Sequence, residues 1–195
     1  MFSIVIATLN CERTLVPTLA TLVGGAAAGI LRDVIIADGG SRDDTAEVGD
    51  LAGCEVMVMA EPLAARLRTA AAKARGPWLI FLRPGTVLDA TWIDEASRFV
   101  QQAEAVDPAN ARAAVFRLAP AAGTARPILI EALALLKAAL GGLPRPDQGL
   151  IITKQSYERL GGHSDGVTDP EADLIARLGR RRLTLLRSSA TNIGP

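Results

Sequence analysis

Apolar residues in this chain gather into short, unbroken runs, and between the runs they recur at helical spacing. The first run, residues 2–7, is rich in β-branched side chains and continuous, the pattern of a strand buried on both faces. Residues 33–37 repeat it, and strands are expected again at 55–60 and 78–82. Helices are expected between them. The first covers 15–23, with Pro17 tolerated in its opening turn and Gly24-Gly25 as a stop signal. The second opens at Asp43, Asp44 and Thr45, where acidic side chains suit the positive end of the helix dipole. A third, Ala- and Arg-rich, covers 63–74 and ends at Gly76-Pro77, and a fourth runs from Ala90 or Thr91 to about residue 105. Strands alternating with helices at this spacing predict an α/β fold, an open, mainly parallel sheet with helices on both faces.

The later sequence is less regular. A loop is expected at 107–112, a strand at 113–118 that could return antiparallel, and an Ala- and Gly-rich connection at 120–127. Residues 128–140 have helical spacing with Glu131 and Lys137 on the polar side, and a loop follows at 141–146. A strand at 149–153 leads into a helical turn at 154–160 ended by Gly161-Gly162. A helix at 170–178 and a short strand at 183–186 complete the pattern. There is no internal repeat, and one domain over 1–195 is expected.

Composition narrows the partners. The formal charge is zero and 49% of the residues are hydrophobic, which speaks against nucleic acid, since phosphate binding shows as a basic chain or stripe. Arg180-Arg181-Arg182 reads as a solvated helix end. Cys11, Cys54 and the single histidine, His163, have no zinc-type spacing and are read as two reduced thiols and a surface turn histidine. No basic segment precedes the first apolar run, so it is read as a strand and not as a secretory signal. The stretch at 127–143 carries Glu131 and Lys137 and is too short to span a bilayer. A soluble, cytoplasmic protein is expected.

In an open parallel sheet ligands bind at the carboxyl ends of the strands. Three polar clusters fall there: Thr8-Leu9-Asn10-Cys11-Glu12, Asp38-Gly39-Gly40-Ser41-Arg42-Asp43 and Arg83-Pro84-Gly85-Thr86. Such a crevice could hold a nucleotide, with Asp38 accepting from a base N–H or ribose hydroxyl and Glu12 bonding the sugar of the nucleoside. Equally, Asp38 and Asp43 could make an Asx turn and cap a helix. A dinucleotide-binding Rossmann site is excluded, because no Gly-x-Gly-x-x-Gly follows the first strand.

Five segments in order resemble one family. Ser3-Ile4-Val5-Ile6-Ala7-Thr8-Leu9-Asn10, Asp38-Gly39-Gly40-Ser41-Arg42-Asp43-Asp44-Thr45 and Ala74-Arg75-Gly76-Pro77-Trp78-Leu79-Ile80-Phe81-Leu82 look like the opening of family 2 glycosyltransferases. Asp147-Gln148-Gly149-Leu150 with Tyr157-Glu158-Arg159-Leu160-Gly161-Gly162 resembles that family's acceptor-side segment, and Arg177 with the basic residues after it resembles the helix behind its catalytic acid. The resemblance implies the GT-A fold, with 1–105 as a nucleotide-binding half and 106–195 as an acceptor-side half. It implies an inverting transferase acting on a UDP- or GDP-type sugar and an acceptor the sequence does not name. Thr8, Asn10, Glu12 and Asp38 fall where the family binds the nucleoside, Gly40, Ser41 and Asp43 shape the floor, and Asp147 and Gln148 lie on the acceptor side. In such a reaction a carboxylate takes the acceptor proton and Mg²⁺ or Mn²⁺ steadies the leaving diphosphate.

The departures lie in catalysis. Where the family carries Asp-x-Asp for the metal, this chain has Arg83-Pro84-Gly85, and Asp89 beyond it reads as a helix cap. No metal ligand is therefore assigned. Arg83 either neutralises the diphosphate itself, as a bidentate fork, or marks a metal site simply lost. The family's Glu-Asp pair falls on Pro170-Glu171. Glu171 could serve as the base, with Asp169 or Asp173 as substitutes, or all three supply charge to a helix N-terminus. Arg68 stands where relatives carry a small polar residue, and little chain follows for an acceptor-side lid. Two readings result: a weak or metal-independent glycosyltransferase, or a catalytically silent relative that binds a nucleotide or a protein partner. In the second, the 128–140 stripe could meet a partner or a membrane surface, although packing on the domain's own core is its simpler use.

Overall fold

The computed structural model describes residues 1–106, 112–119 and 144–194. The helix expected at 128–140 and the connection at 120–127 lie outside the described residues, as does most of the loops expected at 107–112 and 141–146. The first half alternates strictly, through β1 (Phe2–Thr8), α1 (Glu12–Ala27), β2 (Leu31–Asp38), α2 (Thr45–Leu51), β3 (Glu55–Val58), α3 (Leu63–Lys73) and β4 (Trp78–Leu82). There follow β5 (Thr86–Leu88), α4 (Trp92–Val106), β6 (Ala113–Ala119), β7 (Leu150–Thr153), α5 (Lys154–Arg159), α6 (Pro170–Leu178) and β8 (Leu183–Asn192).

All eight strands form one sheet in the order β3-β2-β1-β4-β7-β6-β8-β5. β3, β2, β1 and β4 are parallel. β7 is antiparallel to both β4 and β6, so the strand at 113–118 does pair antiparallel on one side. On its other side β6 runs parallel to β8, and β5 closes the edge antiparallel to β8.

Period-two alternation divides the strands' side chains between two cores. Ile4, Ile6 and Ile80 face α1 and α4, meeting Leu15, Leu22, Trp92 and Phe99. Val5, Ile35, Leu79 and Phe81 face α3, α5 and α6, meeting Leu67, Ala70, Tyr157, Leu174 and Ile175. Each such buried aliphatic or aromatic side chain contributes about 1.5–3 kcal/mol. Helices thus cover both faces. No helix among the described residues is long and apolar enough to cross a membrane.

Three expectations are corrected. Gly24-Gly25 does not stop α1, which continues to Ala27. A Cβ on Gly25 would stand 2.7 Å from the Trp92 ring, and the Trp92 indole donates to Thr21 O at 3.0 Å. These glycines let α4 approach and do not form a turn. The last strand has ten residues where four were expected, because pairing with β6 and β5 carries it past the polar Arg187-Ser188-Ser189. Finally, the turn at Arg83 feeds an unforeseen short strand, β5, which β8 alone pairs.

Candidate functional site

Register decides what meets. Thr8 pairs with Asp38 and Ile6 with Leu82, so the loops leaving β2, β1 and β4 emerge side by side. On the far side of β4, Phe81 pairs with Leu150 at the start of antiparallel β7. That brings the turn before β7, with Asp147 and Gln148, to the same edge.

The first two loops are sewn together by hydrogen bonds. Asp38, 1% exposed, accepts from the Thr8 hydroxyl at 2.8 Å, the Gly40 and Ser41 N–H groups at 2.9 and 2.8 Å, and the Ser41 hydroxyl at 2.5 Å. Burial opposes its charge, but these four donors outweigh it and hold the carboxyl below the usual aspartate range. Asn10, at φ 49°, donates its N–H to Ser41 Oγ at 2.9 Å and accepts from the Arg42 N–H at 2.8 Å. Asp43 accepts from the Thr45 hydroxyl and N–H and from the Glu12 N–H, and Glu12 returns an acceptor to Asp44 N–H at 3.1 Å. Every residue assigned to nucleotide binding therefore sits in one connected frame. The Asx-turn reading of Asp38 also describes this geometry.

Arg66 was not singled out in the sequence. It is 7% exposed and lies beneath this frame, one guanidinium nitrogen donating to both Thr8 O at 2.9 Å and Ala37 O at 2.6 Å. Its signal was positional: it falls on the apolar stripe Leu63, Leu67, Ala70, Ala74, where a charge needs a buried partner.

Arg83 gathers the acids. Its Nε donates to Glu171 at 2.6 Å, its Nη2 to both Asp169 oxygens at 2.9 Å, and its Nη1 stands 3.5 Å from Asp147. Asp147 also accepts from Arg145 at 2.6 Å. Asp169 caps α6, accepting from the Glu171 and Ala172 N–H groups at 3.1 and 3.0 Å. Burial works against its charge, yet the Ala172 N–H and Arg83 hold it below the usual aspartate range. Glu171 goes the other way. Its side chain is 11% exposed, and burial lifts its carboxyl above the usual glutamate range, only partly offset by a guanidinium shared with two other acids. For Arg83 the balance is reversed, the carboxylates outweighing its lost hydration and strengthening its hold on the proton.

Three side chains differ from expectation. His163 is not on the surface: it is 1% exposed, bonded through Nδ1 to Tyr157 Oη at 2.7 Å and edge-on to Phe81 at 4.9 Å. Burial, then the Arg177 and Arg68 charges, pushes its pKa down to about 3. Gln148 is buried, its amide donating to Phe116 O and accepting from the Arg145 N–H, both at 2.7 Å. Asp173 is bound by Ser164 and Arg177, each at 2.8 Å, away from Arg83. Arg68 closes onto His163 O and Asp165. Asp89 serves the start of α4, as expected, and also accepts from the Ser189 hydroxyl.

The family model described as Glycosyl transferase family 2 matches residues 3–119. The chain belongs to that family. Its fold is that of solved GT-A transferases. S. aureus TarS 1-349 in complex with UDP-GlcNAc superposes at TM-score 0.71 and 14% identity, over all of this chain and 59% of the other. A Pyrobaculum calidifontis mannosyltransferase in complex with GDP-Man and Mn²⁺ gives 0.70 and 15%, over 100% and 57%. Glucosyl-3-phosphoglycerate synthase from Mycobacterium tuberculosis, with Mn²⁺, UDP and glucosyl-3-phosphoglycerate, gives 0.63 and 17%, over 100% and 72%. The chain thus spans about three fifths of the TarS and mannosyltransferase structures. No curated protein sequence matches it significantly.

The divalent cation implied by the family does not fit the residues present. A hard cation needs carboxylate oxygens turned toward one point. Here Asp147, Asp169 and Glu171 are turned onto the Arg83 guanidinium, whose positive charge repels a second cation. Among the described residues no other group of three His, Cys, Asp or Glu is arranged to hold a metal.

Proposed function

We propose that this chain is a cytoplasmic domain that binds a UDP- or GDP-type sugar and transfers the sugar, with inversion, to an acceptor hydroxyl without a divalent cation. Residues 1–105 form its nucleotide half and 106–195 its acceptor half. Thr8, Asn10, Glu12, Asp38, Gly40, Ser41 and Asp43 frame the nucleoside site, and Glu171 is the base. The acceptor oxygen forms a bond to the anomeric carbon as its proton passes to Glu171. The anomeric carbon–oxygen bond to the diphosphate breaks, and the nucleoside diphosphate leaves with the electron pair. Arg83 meets that charge through Nη1, the nitrogen whose 3.5 Å contact with Asp147 is too long for a strong hydrogen bond. The supporting observation is the direct Arg83–Glu171 contact at 2.6 Å at the carboxyl end of β4, which joins a fixed positive charge to a buried carboxylate of raised proton affinity. Such a carboxylate suits a general base working near neutral pH.

A second reading has its own support. Asp169 and Glu171 already satisfy most of the guanidinium, as in a structural ion-pair hub, and a nucleotide-binding relative without transfer would need nothing more. Turnover of UDP- and GDP-sugars with and without EDTA separates the two. The proposal expects turnover that survives the chelator and falls at least about 100-fold in Glu171→Gln, with UDP or GDP binding by calorimetry unchanged. Nucleotide binding without turnover across a donor panel would establish the second reading. If neither nucleotide binds at millimolar concentration, the transferase and the nucleotide-binding relative both fail and only a silent relative that binds a protein partner is left.

A further inference from the structure

His163 has no part in the transfer step described above. Its backbone N–H donates to Tyr157 Oη at 3.3 Å, so the Tyr157 hydroxyl is free to direct its own hydrogen onto Nδ1 at 2.7 Å. With the hydroxyl hydrogen directed at the ring, the tautomer assigned here has Nδ1 accepting and the proton on Nε2. Nε2 is buried and has no hydrogen-bond partner among the described residues, which is costly unless something receives its hydrogen. His163 borders a cavity of about 10 Å³ whose other walls are Phe81, Pro146, Leu150, Ile175 and Glu171. Among the described residues that line it, His163 and Glu171 carry the titratable side chains. The volume is about that of one water, and a buried water requires two or more polar partners, which these residues supply.

We propose that His163 is a positioning residue for Glu171: held as the Nε2–H tautomer by Tyr157, it donates through one water in their shared cavity to the Glu171 carboxyl group. Arg83 holds Glu171 from one side, and the water-linked imidazole holds it from the other. The carboxylate is then confined to one orientation, and a hydrogen bond to its charged form favours ionisation against the burial that opposes it. His163 stays neutral in this role. The charges around it are Arg68, Arg177, Asp169 and Asp173, and those around Glu171 are Arg83, Asp147 and Asp169. All of them are retained when only the imidazole or the phenol is changed.

This role gains catalytic meaning from Glu171 as the base, but the test does not depend on turnover. The Glu171 carboxyl would be titrated by ¹³C NMR in the full-length protein, with Glu171→Gln assigning the signal. In His163→Phe its midpoint should rise by about one pH unit, the value of one neutral hydrogen bond. His163→Gln, which restores an N–H donor, should return it most of the way. Tyr157→Phe, which keeps the packing and releases the tautomer, should raise it by a smaller amount. An unmoved midpoint in a natively melting His163→Phe overturns the proposal. Should His163→Phe fail to fold, Tyr157→Phe decides in the same way. A shifted midpoint in a protein without turnover upholds the positioning role and rejects the transferase reading, so the two can fail separately.

Discussion

The frame at the ends of β1 and β2 and the acid cluster around Arg83 lie at one edge of one sheet, yet they settle charge by opposite means. Asp38 is enclosed by two hydroxyls and two amides, and Arg66 beneath it donates to the neighbouring backbone carbonyls of Thr8 and Ala37 and acts on Asp38 through its charge. Those dipoles are fixed by the loop itself, and the carboxylate they surround is held ionised. Around Arg83, three acids converge on one guanidinium that cannot satisfy them equally, and the deepest of them, Glu171, is left with raised proton affinity. A carboxylate saturated by rigid neutral donors is a structural element. One that shares an insufficient cation remains able to exchange a proton. The first region is therefore fixed in shape, and the second keeps a carboxyl able to exchange a proton.

The largest effect should come from breaking the frame. Asp38→Ala leaves four donors facing each other and should cost about 3–5 kcal/mol in urea unfolding. Because Asp38 is ionised at both pH 7 and pH 5, this loss should be the same at either. Arg83→Met should cost less, about 2 kcal/mol at pH 7, since solvent reaches that pair. Its pH dependence has the opposite character. Without the cation the folded-state affinities of Asp169 and Glu171 for protons rise, so the penalty present at pH 7 should shrink as pH falls toward 5. Equal pH behaviour in the two variants would erase the distinction. The smallest effect is expected for Asn10→Ala, about 1 kcal/mol, from losing the Arg42 contact and placing alanine at positive φ. A melt reduced by no more than that, with UDP binding abolished, would mark Asn10 as a ligand contact rather than a stitch.

The two regions also differ in how far the sequence exposes them. β4 and α6 are read to the residue, because a run buried on both faces and an Asp-Pro start leave little choice. The frame is shorter in range: its contacts lie within the turn after β2 or join the loops of the neighbouring parallel strands β1 and β2, 30 to 32 residues apart. The Arg83 cluster is not local: its partners are 86 and 88 residues away in sequence, and no period or spacing links them. The sequence leaves Arg83 either as a charge for a diphosphate or as the mark of a lost metal site, and in the fold pairing satisfies most of it. His163 was misplaced for a related reason. A histidine beside two glycines has the composition of a turn, and only the fold shows Tyr157 covering it. Gly25 illustrates the same ambiguity, since glycine that ends a helix and glycine that admits a tryptophan are written with the same letter.

The turn that carries Arg83 is fastened from a distance. Gly85 donates to Thr14 O and accepts from the Ile193 N–H, each at 3.0 Å, and among the described residues β5 pairs with β8 alone. Asp89, just beyond, is tied to Ser189, a hundred residues downstream. In terms of synthesis order, the nucleotide frame has all its parts once α3 has left the ribosome, whereas the turn beneath Arg83 waits for β8. The turn that presents Arg83 to its acids therefore lacks part of its fastening until the final strand of the described residues has been made.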